Sequence, residues 1–142
     1  MISLDHLHPM LVHFPIALIL IGFLADLISL FYKKEAGLSM VGFYLLIIGT
    51  LSALIALLSG ALFTSEMTGA AGDVKETHEL FAWITVINLI LYSAYRIFIK
   101  VKGEQTNMTN RISFAWYGIA ALFVSITGFY GGTLVYSYMM PL

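Results

Sequence analysis

"HPMLVHFPIALILIGFLADLISLFY", residues 8–32, is apolar at nearly every position, yet it opens with two histidines and two prolines and carries one aspartate. From Pro9 to Tyr32 it is long enough to cross a bilayer, which takes about 20 apolar residues as helix. Three further stretches are of the same kind: Leu38 to Phe63, Leu80 to Ile99, and Ile112 to around Tyr138. None alternates with a period of two, so helices are expected and a closed barrel is not. Composition agrees, since 60% of the 142 residues are hydrophobic and 11% charged, against about 25% charged in soluble domains. The chain reads as an all-α membrane protein: one domain, residues 1–142, with four transmembrane helices in a bundle and the lipid bilayer as its surroundings.

A formal net charge of -1 gives no reason to expect nucleic acid as a partner. The absence of cysteine excludes disulfides, thiolate metal sites and the thioether attachment of a c-type haem. No basic residue precedes the first apolar run and no small-residue cleavage motif follows it, so that run is expected to stay in the mature protein. The chain has no Gly-x-Ser-x-Gly elbow, no phosphate-binding glycine loop and no carboxylates paired at catalytic spacing. A stand-alone enzyme is therefore not expected, whereas a redox subunit is compatible with the composition.

Charge is confined largely to the connections, and unevenly. Lys33 and Lys34 follow the first span, while Arg96, Lys100, Lys102 and Arg111 surround the turn between the third and fourth; Lys75 stands on the other side. By the positive-inside rule both basic connections are cytoplasmic. Both termini and the loop "TSEMTGAAGDVKET" (residues 64–77) then face the periplasm of a multi-pass protein in a bacterial inner membrane. "NMT" at 107–109 falls on the cytoplasmic side and is not read as a glycosylation acceptor.

That topology collects all four histidines, His6, His8, His13 and His78, at the outer end. Pro9 suits the first position of a helix, which puts His13 four residues in, about 6 Å deep at 1.5 Å per residue. Asp73 and Glu76 have the spacing of a capping box that would start the third helix at Val74. His78 would then also lie four residues in, at the depth of His13.

The other two spans match each other. Gly49, Ala53, Ala56 and Gly60 in the second, and Ala121, Ser125, Gly128 and Gly132 in the fourth, each fall within an arc of roughly 60°. Such stripes permit close helix packing in membranes, or make room for something flat between helices. The chain thus divides into two tandem helix-pair halves, residues 1–70 and 71–142. A parallel repeat of this kind has a pseudo-twofold axis along the membrane normal, which can place His13 opposite His78.

Two histidines facing each other in a helical bundle can hold haem iron axially. The expected site is a noncovalent haem b between His13 and His78, with Gly60 and Gly132 making room, in a protein that passes electrons to a redox partner protein or membrane complex. An axial histidine wants an acceptor for its second ring nitrogen, and Pro15 frees the carbonyl of Leu11 near His13. Two other readings stay open. One is a transition-metal binding or transport module using His8, His13 and His78 with Asp73 or Glu76; the other is a structural or assembly subunit without a cofactor. His8, just before Pro9, reads first as a capping or surface residue, and His6 as solvated. Asp26 projects about 20 Å from His13 along the helix; it reads as a structural residue near the cytoplasmic interface, with Arg96 as a candidate partner, and a proton-handling role is the other reading. Asn88 reads as an interhelical hydrogen-bonding residue, and Trp83, Trp116, Tyr117 and Tyr130 as interfacial belt residues.

"HPMLVHFPIAL" (8–18), the histidine opening the third span and "GGTLVY" (131–136) together resemble the bacterial four-helix membrane proteins grouped as domain of unknown function 2231. The matching positions are His8, Pro9, His13, Phe14, Pro15, His78, Gly131 and Gly132, and the resemblance covers nearly the whole chain. It implies an integral membrane domain associated with respiratory contexts and with occasional fusion to redox domains, and it implies no settled activity.

Overall fold

The computed structural model of the chain describes residues 7–32 and 36–138; His6, Lys33 and Lys34 lie outside the described residues. Helices α1 (Leu7–Leu11) and α2 (His13–Phe31) form one rod, because Val12 keeps helical dihedrals of φ -64 and ψ -22 and its N–H donates to the His8 carbonyl at 3.1 Å. The irregularity falls where Pro15 brings no N–H to the carbonyl of Leu11. This rod starts before Pro9, which still sits in the first turn, where a helix has no partner for its N–H groups. His8 is consequently inside the helix and not ahead of it.

Three uninterrupted helices follow: α3 (Ala36–Phe63), α4 (Ala70–Lys102) and α5 (Asn107–Ser137). α4 begins after Gly69, at φ 63, and the Asp73 N–H donates to the Gly69 carbonyl at 3.1 Å. Asp73 is therefore a first-turn acid, favourable beside the positive helix start, and not the cap expected from its spacing to Glu76. The helix starts earlier than Val74, so His78 lies two turns in instead of one. At the other end Gly103 terminates α4 in the left-handed region, φ 69. α5 opens with a capping box, in which the Thr109 N–H donates to Thr106 Oγ1 at 3.2 Å and the Thr106 N–H donates to Thr109 Oγ1 at 2.8 Å.

All four rods are long and apolar enough to cross a membrane. α2 packs against α3 and α5, and α4 packs against the same two, so α2 and α4 face each other diagonally across the bundle. The core between them is Ile19, Leu46, Val86, Leu89, Tyr92, Tyr117, Ala120 and Val124, all at most 5% exposed. Leucines, isoleucines and phenylalanines such as Phe31, Leu62 and Phe129 point outward, as they should where the solvent is lipid and every backbone polar group is satisfied within its own helix.

The stripe of α3 is an interface: Gly49, Ala53 and Ala56 are buried, and a Cβ at Gly49 would meet Ile19 Cδ1 at 2.6 Å. On α5 the expected stripe is inward for most of its length: Ala121 is buried, and a Cβ at Gly128 would meet Ile16 Cδ1 at 2.9 Å. Ala120, Val124, Thr127 and Gly131 face the bundle interior and the cavity described below, while Ser125 is exposed. The inward arc of α5 is therefore broader than the stripe of small residues and takes in a valine and a threonine beside it.

At the end opposite the histidines, Arg96 Nη1 donates to Asp26 Oδ2 and, at 2.9 Å, to the Tyr92 hydroxyl, which donates to the Ser113 carbonyl at 2.8 Å. This joins Asp26 to the candidate partner read from the sequence, Arg96, with both side chains buried. Tyr117, expected at the membrane interface, is fully buried beside it and donates to the Gly42 carbonyl at 3.1 Å; a tyrosine can be buried where its hydroxyl finds a partner. Asn88 Oδ1 is buried without a hydrogen-bond partner among the described residues, so the interhelical bond expected of Asn88 is not made through that oxygen.

Candidate functional site

His8, on α1, reaches across to α3. Its Nδ1 lies 3.1 Å from the Ala56 carbonyl and 2.9 Å from Ser59 Oγ. His78, on α4, does the same to α5, with Nδ1 3.0 Å from the Thr127 carbonyl. A carbonyl only accepts, so in each ring Nδ1 carries a proton, and in the neutral imidazole Nε2 is then the nitrogen with the free lone pair. Ser59 itself donates to the Ala56 carbonyl at 2.7 Å, which leaves its oxygen free to accept from His8.

Four residues beyond each acceptor stands a glycine, Gly60 after Ala56 and Gly131 after Thr127. A helix carbonyl points toward the residue four positions on, so a side chain there would stand between the carbonyl and a ring approaching from outside. A Cβ at Gly60 would lie 3.0 Å from His8 Cε1, and one at Gly131 would lie 3.1 Å from His78 Cε1. Both imidazoles are thus held in the same way, seated on a glycine and anchored to a carbonyl one turn away. The two rings then confront each other with centroids 6.3 Å apart and planes at 73°. Among the described residues neither Nε2 has a hydrogen-bond partner.

The pair lines a cavity of about 720 Å³ at this end of the bundle. Its walls are the upper α3 stripe, Ala53, Ala56 and Gly60, and the matching part of α5, Thr127, Gly128 and Gly131, with Lys75, Glu79 and Trp83 from α4. The volume lies within the roughly 300–1,000 Å³ of cofactor-sized sites, and the lining is mainly apolar with few polar groups, as is usual for them.

The sequence-based expectation put His13 opposite His78, and the structure puts His8 there. Five residues turn a helix by about 140°, so only one of the two can point to the bundle axis. His13 is exposed and lines the same cavity, and its Nδ1 bonds the Pro9 carbonyl at 2.6 Å, not the freed carbonyl of Leu11. Gly132 borders the cavity with nothing within 4 Å of a Cβ placed on it, so the glycine against His78 is Gly131. Asp73 and Glu76, the carboxylates of the metal reading, are exposed and do not line the cavity. Among the described residues no three His, Cys, Asp or Glu side chains gather as a metal-binding group. Sequence reasoning passed over Ser59 and the carbonyls of Ala56 and Thr127. It also passed over a usable signal, the separation of His8 from His78 by the same seventy residues that separate Asp26 from Arg96.

Fold and site together define a multi-pass α-helical membrane protein with a histidine-lined cavity at one end of its bundle. Residues 5–141 match the family described as "Predicted membrane protein (DUF2231)", and the chain belongs to that family. No curated protein and no solved structure matches it.

Proposed function

We propose that the protein is a b-type haem protein of the bacterial inner membrane, taking part in electron transfer, with His8 and His78 as the axial ligands near the periplasmic face. The observation that carries this reading is the 6.3 Å between the two ring centroids. A metal–nitrogen bond of about 2.0 Å and about 1.2 Å from nitrogen to ring centre put two trans imidazoles roughly 6.2–6.4 Å apart, whereas a tetrahedral metal would draw them to roughly 5 Å. Two neutral imidazoles at that separation would hold the iron of a flat group such as a porphyrin from its two faces. The glycines at 60 and 131 and the small side chains between α3 and α5 supply a cavity for a group of that shape.

Haem supplies one-electron carriage when bound. The chain's own contribution is to hold the ligands. The carbonyls of Ala56 and Thr127 keep Nδ1 protonated, orient each ring and raise the basicity of its Nε2. Tying each ring to a different helix backbone fixes both before the group arrives, so little rearrangement accompanies a change of charge. Ile16, Val86 and Val124 contribute apolar walls on the bundle side of the site.

The test is an absorption spectrum, oxidised and then reduced, of protein purified in detergent from cells supplied with haem. A Soret band with the sharp reduced bands of low-spin bis-imidazole iron is expected. Protein that stays colourless overturns the reading, and bound metal without porphyrin would favour the transition-metal module in its place.

A further inference from the structure

Two propionates make haem an acid, and the cavity that would take it is mostly apolar. An unpaired carboxylate in such surroundings is costly, so the walls should hold a cation. Among the described residues that line the cavity there is one lysine or arginine, Lys75. Its position in the chain is unusual, because the other lysines and arginines among the described residues, Arg96, Lys100, Lys102 and Arg111, lie toward the opposite ends of α4 and α5. A lysine here runs against the charge bias that orients membrane proteins, and that exception asks for a local reason.

Geometry supplies one. Lys75 precedes His78 by three residues on α4, which puts both on one face of the helix with the lysine about 4.5 Å farther toward the helix start. The side chain does not extend into solvent: it is 12% exposed, with Nζ 2.8 Å from Glu79 Oε1. Glu79 lies on the next turn of α4 and also borders the cavity, so it holds the ammonium against that wall. The second acid, Glu66, is 3.8 Å from Nζ and 96% exposed, too far for a hydrogen bond. An ammonium has three protons to donate, and Glu79 uses one of them.

We infer that Lys75 is the counter-ion that receives a propionate of the porphyrin seated between His8 and His78, so that the site selects a porphyrin bearing free acids; this rests on the haem reading above. The ammonium donates to the propionate at the mouth of the cavity, one helical turn outward of the ligating ring. Glu79 acts as a positioning residue for it.

The experiment titrates the purified, haem-free full chain with ferric protoporphyrin IX and with its dimethyl ester, which has the same ring and no charge on its side arms. For the wild type and Lys75→Arg, the free acid should bind about tenfold more tightly than to Lys75→Gln, in keeping with a charge-assisted hydrogen bond, while the ester binds all three alike. Equal loss of both porphyrins in Lys75→Gln, or loss of neither, overturns the inference. A wild type that takes up both porphyrins, loses both on His78→Ala and is indifferent to Lys75→Gln leaves the haem reading standing and removes only Lys75. A wild type that takes up neither removes both.

Discussion

Asp26 and Arg96 are ion-paired across the bundle, seventy residues apart in sequence, and each lies eighteen residues after a histidine of the facing pair, His8 and His78. Eighteen residues are five full helical turns, about 27 Å, so each histidine and its distant charged residue share one face of one helix. The two diagonal rods therefore touch at both ends, through imidazoles at one and through an ion pair at the other. Rotating either rod about its axis would break both contacts together. The same arrangement keeps the ends apart, since a change at Asp26 or Arg96 is about 27 Å along the helix from the histidines.

The ligand assignment predicts that His8→Ala and His78→Ala each abolish the low-spin spectrum of haem-loaded protein, while His13→Ala keeps it. His13 is exposed and turned toward the Pro9 carbonyl. Optical and electron paramagnetic resonance spectra of the three variants decide the matter. Loss in His13→Ala with retention in His8→Ala would return the ligand role to His13.

A side chain at 60 or 131 would press on an imidazole, since a Cβ there lies 3.0 Å from His8 Cε1 or 3.1 Å from His78 Cε1. Leucine at either position should displace His8 or His78, lower haem content several-fold, and cost about 1–3 kcal/mol by overpacking. Gly132→Ala should be silent, because a Cβ there meets nothing within 4 Å. Haem content per protein and thermal unfolding of the apoprotein measure the two effects separately.

At the opposite end, Arg96→Met leaves the Asp26 carboxylate buried without its cation and should destabilise the fold by about 3–5 kcal/mol. The double variant Asp26→Leu with Arg96→Met should recover much of that loss, since no charge is then left unpaired. In whatever folded fraction remains, the haem spectrum should be unchanged. Unfolding in detergent and the spectrum of the folded fraction are the measurements.

Topology can be read independently. The basic connections predict that both termini face the periplasm, so a reporter active only in that compartment should be active when fused after Leu142. Activity of a cytoplasmic reporter in the same fusion would place the histidine end inside.

The α5 helix shows how far local patterns reach. Its identity as a span follows from hydrophobicity alone, but its start at Asn107 is written in Thr106 and Thr109, a capping box ahead of the apolar run that begins at Ile112. Its rotation is not written in any one residue type. Val124 and Thr127 point inward alongside the smaller Ala121 and Gly128, because the face a membrane helix buries is chosen by fit to its neighbours when both faces are apolar.

The sequence by itself determined four apolar rods, their alternating direction, the crowding of histidines at one end and of basic residues at the other, and it offered Arg96 as a partner for Asp26. These depend on span length, on charge bias and on the cost of an unpaired charge in lipid, all of which act on single residues or short windows. The tertiary structure decided which histidine faces His78. That choice turned on a helix starting at Leu7 and not at Pro9, and on the seating of His8 over Gly60 against the Ala56 carbonyl, forty-eight residues away. A contact over that distance depends on the rotation of two helices at once. Proline spacing and residue size along one of them do not contain it.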